Sequence, residues 1–387
     1  GTNLMKKFLA LILALVMSLS LVACGGDDAQ TDDSATTDDT TTASDLNVGV
    51  FYYTFADAYI TTVRTALDEK LTAAGIKYQD YDGNNNQATQ LDQINTAITD
   101  GANLLIVNIV ETSSPDSAQQ ACDAAKNAGI PIIFFNREVD DAVVSSYENC
   151  AFVGTDAPEA GHMQGEMIGD YLLENYDAVD LNGDGTISYV MFKGQEGNAE
   201  AEYRTQFAVE DANAILTEAG KPELSFYNAG NADKFLVDQT GAWSAQAATD
   251  YMTTILAEYS EANNNMVELV IANNDNMAEG AIAALQAAGY NLGNDEEGKP
   301  TSTVIPVYGV DALDSAVEKI QNGQMTGTVK QDGEGMATTI MALVSNVDGD
   351  AALMNGIDEA NGYNVDKNED GTVKVAKIRV PYAKVTA

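Results

Sequence analysis

The sequence predicts an α/β protein with two doubly wound parallel sheets, and three observations carry the prediction. Short apolar runs alternate with longer amphipathic stretches from Leu46 onward. The apolar runs are continuous, the pattern of strands covered by helices on both faces. Roughly eleven strands fit along the 387 residues, more than one open sheet readily holds.

In chain order, strands are expected at 47–53, 76–81, 104–109, 131–135, 151–154, 187–193, 268–272 and 304–308, where β-branched and aromatic residues cluster. Between them, stretches 58–74, 87–100, 113–128, 199–219 and 277–288 carry apolar residues at helical spacing. Hydrophobic residues make up 45% of the chain and charged residues 20%, enough for a sizeable core.

Charge and rare residues exclude several functions. There are 59 acidic against 19 basic residues, a formal charge of −40. Such a chain repels nucleic-acid phosphates and argues against anionic substrates and acidic lipid surfaces. With His162 as the one histidine, a multi-histidine zinc site is nearly excluded, and a Ser-His-Asp triad would have to use that residue alone. Three cysteines are too few for a disulfide scaffold. Cys122 and Cys150 either pair or remain two buried thiols.

At the N-terminus, Lys6 and Lys7 precede an apolar run over 8–23, the pattern of a secretory signal peptide covering 1–23. The run ends Leu21-Val22-Ala23-Cys24-Gly25, which resembles a lipoprotein processing site and implies lipid attachment at Cys24. Residues 25–45 have alanine as their one hydrophobic residue type and many acids, so 24–45 is expected to be a lipidated cysteine followed by a disordered acidic tether.

Open parallel sheets bind ligands beyond the carboxyl ends of their strands. Polar and aromatic residues collect there: Asp57 and Tyr59 after the first strand, Asn136-Arg137-Glu138 after 131–135, Asn273-Asn274-Asp275 after 268–272, and Asp311 after 304–308. Each Asp or Asn alone is equally well read as a helix N-cap, Asp57 and Asp275 above all.

The strings IANND (271–275), YGVDA (308–312), FFNRE (134–138), FVGTDAPEAG (152–161), DLNGDG (180–185) and RVPY (379–382) together resemble galactose/glucose-binding proteins of ABC sugar importers. The resemblance implies the type I periplasmic-binding-protein fold, two lobes joined by three hinge crossovers. Residues 46–154 with 332–378 would form the N-terminal lobe, and 155–331 with 379–387 the C-terminal lobe. It further implies a monomeric lipoprotein on the outer face of the cytoplasmic membrane. That protein would capture a monosaccharide and pass it to ABC transporter membrane subunits, without catalysis. A sensor feeding a chemoreceptor or kinase, a binder of another hexose or pentose, a carbohydrate-processing enzyme and a sugar-responsive repressor are the competing readings.

Carried over motif by motif, the ligand set is Asp57, Tyr59, Asn136, Asn198, Glu200, Arg204, Trp243, Asn274, Asp311 and Gln331. Tyr59 and Trp243 would sandwich the sugar's C–H face. Planar amide, carboxylate and guanidinium groups would hold its hydroxyls. Without the resemblance, Trp243 reads as a core residue on a helix beginning near Gly241. Arg204, as a buried cation, is expected beside Asp311 or Glu200. Three positions depart from the family: Asn198 replaces histidine, Glu200 aspartate and Gln331 asparagine.

The segment Asp180-Leu181-Asn182-Gly183-Asp184-Gly185 fits the first half of an EF-hand loop, whose oxygens suit Ca²⁺. Met191 stands where the loop's bidentate Glu belongs, so a complete EF-hand is excluded. The resemblance supplies Glu268 as the distant carboxylate, with Thr186 through its carbonyl and Ser188 in place of a longer amide ligand. A similar string at 366–371 places Lys374 and Lys377 where ligands belong and reads as a hairpin turn.

Overall fold

The computed structural model describes residues 43–387. Cys24, the expected signal peptide and most of the expected tether lie outside the described residues. Ser44 and Asp45, expected in the tether, belong to the fold. Ser44 Oγ donates to Asp348, and the Asp45 carbonyl accepts from Asn103 Nδ2.

The first βα layer runs β1 (Asn47–Tyr52), α1 (Ala58–Ala73), β2 (Lys77–Asp82), α2 (Gln87–Thr99), β3 (Leu104–Val107), α3 (Asp116–Ala128), β4 (Ile132–Phe135), α4 (Asp141–Ser145) and β5 (Cys150–Gly154). The second follows as α5 (Ala157–Val179), β6 (Ser188–Lys193), α6 (Ala199–Glu218), β7 (Ser225–Phe226), β8 (Leu236–Val237), α7 (Ala245–Glu258), β9 (Leu269–Ala272), α8 (Asp275–Ala287), β10 (Val307–Tyr308), α9 (Asp314–Gln321) and β11 (Gly327–Lys330). The chain returns as α10 (Gly333–Asp348), β12 (Asn364–Lys367) and β13 (Val373–Arg379), then ends in β14 (Ala383–Thr386).

Two seven-stranded sheets result. The first has the order β12-β13-β5-β4-β3-β1-β2; the second has β14-β11-β10-β9-β6-β7, with β8 also on β6. Pairing is parallel except for the β12–β13 and β11–β14 pairs. The chain passes from one sheet to the other at 155–156, at 331–332 and at 380–382, so the fold is two parallel-sheet lobes with three crossovers.

Burial explains the continuous apolar runs. Every residue of β3, β4 and β9 is inaccessible, with helices on both faces of each sheet. The run expected over 304–308 shortens to Val307–Tyr308 because Pro306 has no N–H for the ladder, though its carbonyl still accepts from Val270. The 366–371 segment lies at the β12–β13 turn, as a hairpin.

Helices α5 and α10 complete the layers. In α5, Gly161, Gly165 and Gly169 form a smooth ridge against α6. A Cβ at Gly161 would sit 2.6 Å from the Tyr203 carbonyl oxygen, and one at Gly165 2.7 Å from that of Phe207. This close backbone approach fixes α6, whose first turns carry Asn198, Glu200 and Arg204.

Candidate functional site

All ten expected ligand residues line one cavity between the sheets. Asp57, Tyr59 and Asn136 come from the first lobe. Asn198, Glu200, Arg204, Trp243, Asn274 and Asp311 come from the second, and Gln331 lies on the second crossover. Asp57 is half-buried and the others are buried.

Helix capping builds part of this wall. Asp57, Asn198 and Asn274 cap α1, α6 and α8, each accepting a backbone N–H through its side-chain oxygen. Capping uses one side-chain oxygen of each, and all three residues also line the cavity. Asp275 is not a cap. Its carboxylate accepts from the Thr328 hydroxyl at 2.6 Å and from Leu313 N at 2.9 Å, tying α8 to the loop that carries Asp311. Burial raises its pKa to about 6.

Left-handed backbone aims three further groups inward: Asn136 (φ 67°), Trp243 (φ 55°) and Asp311 (φ 130°). Such conformations are costly for residues other than glycine and concentrate at functional sites. Trp243 therefore lies in the turn before α7, not on a helix beginning near Gly241. Its ring fills the space above Gly194, where a Cβ would come within 2.1 Å of the indole.

A hydrogen-bonded chain crosses the cavity. Asn108 Nδ2 donates to Asn136 Oδ1 at 3.1 Å, Asn136 Nδ2 to Gln331 Oε1 at 3.3 Å, and Gln331 Nε2 to Asp311 Oδ1 at 2.9 Å. Glu200 Oε1 accepts from the backbone N–H of Glu138 at 3.2 Å, a second bond between the lobes. The extra methylenes of Gln331 and Glu200 thus reach across the cleft.

Arg204 departs from expectation. Its guanidinium donates to the Asn273 carbonyl and to the Tyr382 hydroxyl, each at 3.0 Å, rather than to Asp311 or Glu200. Hydrogen-bond acceptors rather than a contact carboxylate satisfy the buried cation, and its charge still acts on both acids at longer range. Several buried cavity atoms have no partner in the protein: Arg204 Nε, Asn198 Nδ2, Trp243 Nε1, Arg137 Nη2 and Glu200 Oε2. Unmet buried polar atoms cost about 1–3 kcal/mol each, so this lining favours a guest rich in hydroxyls.

The family model for the periplasmic binding protein domain matches residues 48–351. The chain belongs to the periplasmic binding protein family.

This periplasmic binding protein is similar to the D-galactose/methyl-galactoside binding periplasmic protein MglB of Haemophilus influenzae, at 32% identity over 346 residues, covering 89% of this chain and 90% of that one. Its fold is similar to an ABC transporter solute-binding protein from Bacillus halodurans with bound myo-inositol, with TM-score 0.63, 23% identity, and 90% and 96% of the two chains covered. It is also similar to one from Clostridium phytofermentans with bound β-D-glucose, with TM-score 0.62, 22% identity, and 87% and 93% covered. Among the described residues, no helix is long and apolar enough to cross a membrane.

Three lining residues of the binding protein were not expected: Tyr53, Ile60 and Arg137. The Tyr53 hydroxyl donates to Asp57 at 2.5 Å, and the Arg137 guanidinium lies 3.5 Å over the Tyr53 ring while donating to the Val110 carbonyl. The sequence signal for Arg137 is its place beside Asn136 at a strand's carboxyl end.

Burial, reinforced by Glu138 and opposed by Arg204 and Arg137, raises the Glu200 pKa to about 7. The fold then holds a proton that the unfolded chain releases near the ordinary carboxylate value. Stability from Glu200 is fully present below that value and is lost as pH rises through 7. Glu200→Gln is neutral throughout, so it should stabilise the protein at pH 8 by roughly 3 kcal/mol, with the difference vanishing well below pH 5. Chemical denaturation across that range checks this, and a pH-independent difference would contradict it.

Proposed function

We propose that this protein is an extracytoplasmic sugar-binding component of an ABC transporter. It encloses a monosaccharide of the galactose/glucose type between its lobes and presents the closed form to the transporter's membrane subunits. One observation carries the reading: residues from both lobes and a crossover surround one cavity with an indole wall and partnerless buried donors and acceptors. A guest that bridges both lobes stabilises the closed arrangement by contacts the open one lacks. The MglB relative supports a galactoside-type guest.

The test is a thermal-shift panel of D-galactose, D-glucose, other hexoses and pentoses, followed by calorimetry. Ligand at a hundred times its dissociation constant stabilises by about 2.7 kcal/mol. A shift with D-galactose or D-glucose is expected. A response to a pentose or another hexose alone would reassign specificity, pointing to Glu200 and Gln331. No response to any sugar, or consumption of the sugar, would overturn the reading. Attachment to the membrane through Cys24 belongs to the same proposal, and Cys24→Ala should release the protein into the medium.

We further propose a structural Ca²⁺ in the 180–188 loop. Its donors are hard oxygens: the carboxylates of Asp180, Asp184 and Glu268, the Asn182 amide and the Thr186 carbonyl, with Ser188 as a weaker contributor. Glu268 is fully buried beneath the loop, where its carboxylate accepts from Leu181, Asn182 and Ser188 N–H groups. Gly185 takes the left-handed conformation (φ 82°) that the tight turn requires. Among the described residues, no three Asp, Glu, His or Cys side chains are gathered as a metal cage. The proposed set depends on amide and carbonyl oxygens as well. Calcium should raise the melting temperature by several degrees relative to EGTA, and Glu268→Gln should abolish that response. Equal melting in calcium and EGTA would remove the ion from the account.

A further inference from the structure

Glu138 and Arg379 lie outside the cavity, and hydrogen bonds run from them to residues that line it. Arg379 ends β13, immediately before the third crossover, paired in register with Gly154 at the end of β5. All five of its N–H donors are engaged. Nε and Nη2 bond the two Asp366 oxygens at 2.9 and 2.8 Å. Nη1 and Nη2 bond the two Glu138 oxygens at 2.6 and 3.1 Å, and Nη1 also bonds the Thr155 carbonyl at 2.7 Å.

Two paths lead from this guanidinium to ligand-site residues. In one, Glu138 carries its backbone N–H across the cleft to Glu200 Oε1. In the other, Thr155, on the first crossover, shares a 2.7 Å hydrogen bond between its Oγ1 and the Tyr382 hydroxyl on the third crossover, and that hydroxyl accepts from Arg204 Nη2. Thus one arginine ties two of the three crossovers to both the acid and the guanidinium proposed to hold the sugar.

We propose that Arg379, Glu138, Thr155 and Tyr382 form a hinge latch. They are positioning residues that never touch the sugar, and they hold Glu200 and Arg204 in place when the lobes are closed. The Glu138–Glu200 bond joins opposite lobes, so opening the cleft must break it. The Arg379 clamp keeps the Glu138 backbone at the angle that remakes it. Lys377 anchors the same Glu138 carboxylate at 2.5 Å and Asp141 at 2.9 Å, so Glu138 is fixed from β13 at two points. The charged groups facing Glu200 are Glu138 from the β4–α4 segment, Arg137 beside it and Arg204 from its own helix.

The latch rests on the proposed sugar-binding reading. Its test is stopped-flow dissociation of D-galactose, or of whichever panel sugar the wild type binds, from wild type, Glu138→Gln and Tyr382→Phe. Bidentate anchoring of a closed state predicts dissociation about tenfold faster in both variants, with association rates little changed. Glu138→Gln should also move the pH midpoint of affinity to lower pH, because it removes the negative charge nearest Glu200. A merely structural role would leave that midpoint in place. If Glu138→Gln fails to fold, Tyr382→Phe, which deletes one hydroxyl, decides alone. Unchanged dissociation in a folded Tyr382→Phe variant whose parent binds sugar would overturn the latch but not the function. A wild type that binds no sugar would overturn both.

Discussion

Trp243→Ala should reduce sugar affinity by a hundredfold or more while leaving most of the protein's stability intact. The indole is only 6% exposed, yet it belongs to neither sheet's apolar core. It stands on a left-handed turn over Gly194, with its Nε1 unpartnered. Its loss therefore empties the cleft wall rather than the interior of a lobe. Aromatic anchors in desolvated sites commonly contribute 2–4 kcal/mol to binding, or about 30- to 1000-fold. Trp243→Phe should recover part of the loss, since a ring face remains but Nε1 does not. Calorimetry on the folded variants measures this directly. As Trp243 is the chain's one tryptophan, its fluorescence should also change on binding in the parent. Undiminished affinity in Trp243→Ala would mean that the sugar is held elsewhere.

The contrast between legible and illegible parts of this site has a physical basis. Parallel strands buried on both faces must be apolar throughout, so β3, β4 and β9 stand out in the sequence, and the polar residues just beyond them mark the binding edge. Asp57 and Asn274 were accessible to the same logic because capping and ligand contact draw on the same short polar side chains, whereas Asn198 came from the family resemblance alone. Tyr53 was not, and Arg137, though marked by its place at a strand end, was not singled out as a lining residue. Their place in the cavity depends on the left-handed turn at Asn136 and on a ring–guanidinium stack, neither of which leaves a periodic trace. The Arg204 expectation failed because it assumed that a buried cation needs a contacting carboxylate. A backbone carbonyl and a phenol hydroxyl supply that satisfaction here, leaving Nε unpartnered at the cavity.

Arg204→Met should damage both stability and binding. The guanidinium is 2% exposed and is the positive charge that offsets the buried Asp311 and Glu200 at longer range. Removing the cation from a buried charged group typically costs about 3–5 kcal/mol, because the acids left behind lose their compensation. The Asn273 carbonyl and Tyr382 hydroxyl each lose a donor as well. The sign of the pH effect follows from the same charges. Burial already raises the pKa of both acids, and loss of Arg204 raises them further. The folded variant should therefore take up protons that its unfolded chain does not, and its stability should fall more steeply than the parent's as pH rises from 5 to 8. Sugar affinity should drop beyond detection at millimolar ligand. Arg204→Lys separates charge from geometry: it should restore much of the high-pH stability but little of the affinity, since an ammonium cannot reproduce the planar fork. Denaturation at pH 5 and pH 8, paired with calorimetry, measures both effects. Equal pH dependence in Arg204→Met and the parent would show that the guanidinium does not hold the buried acids in check.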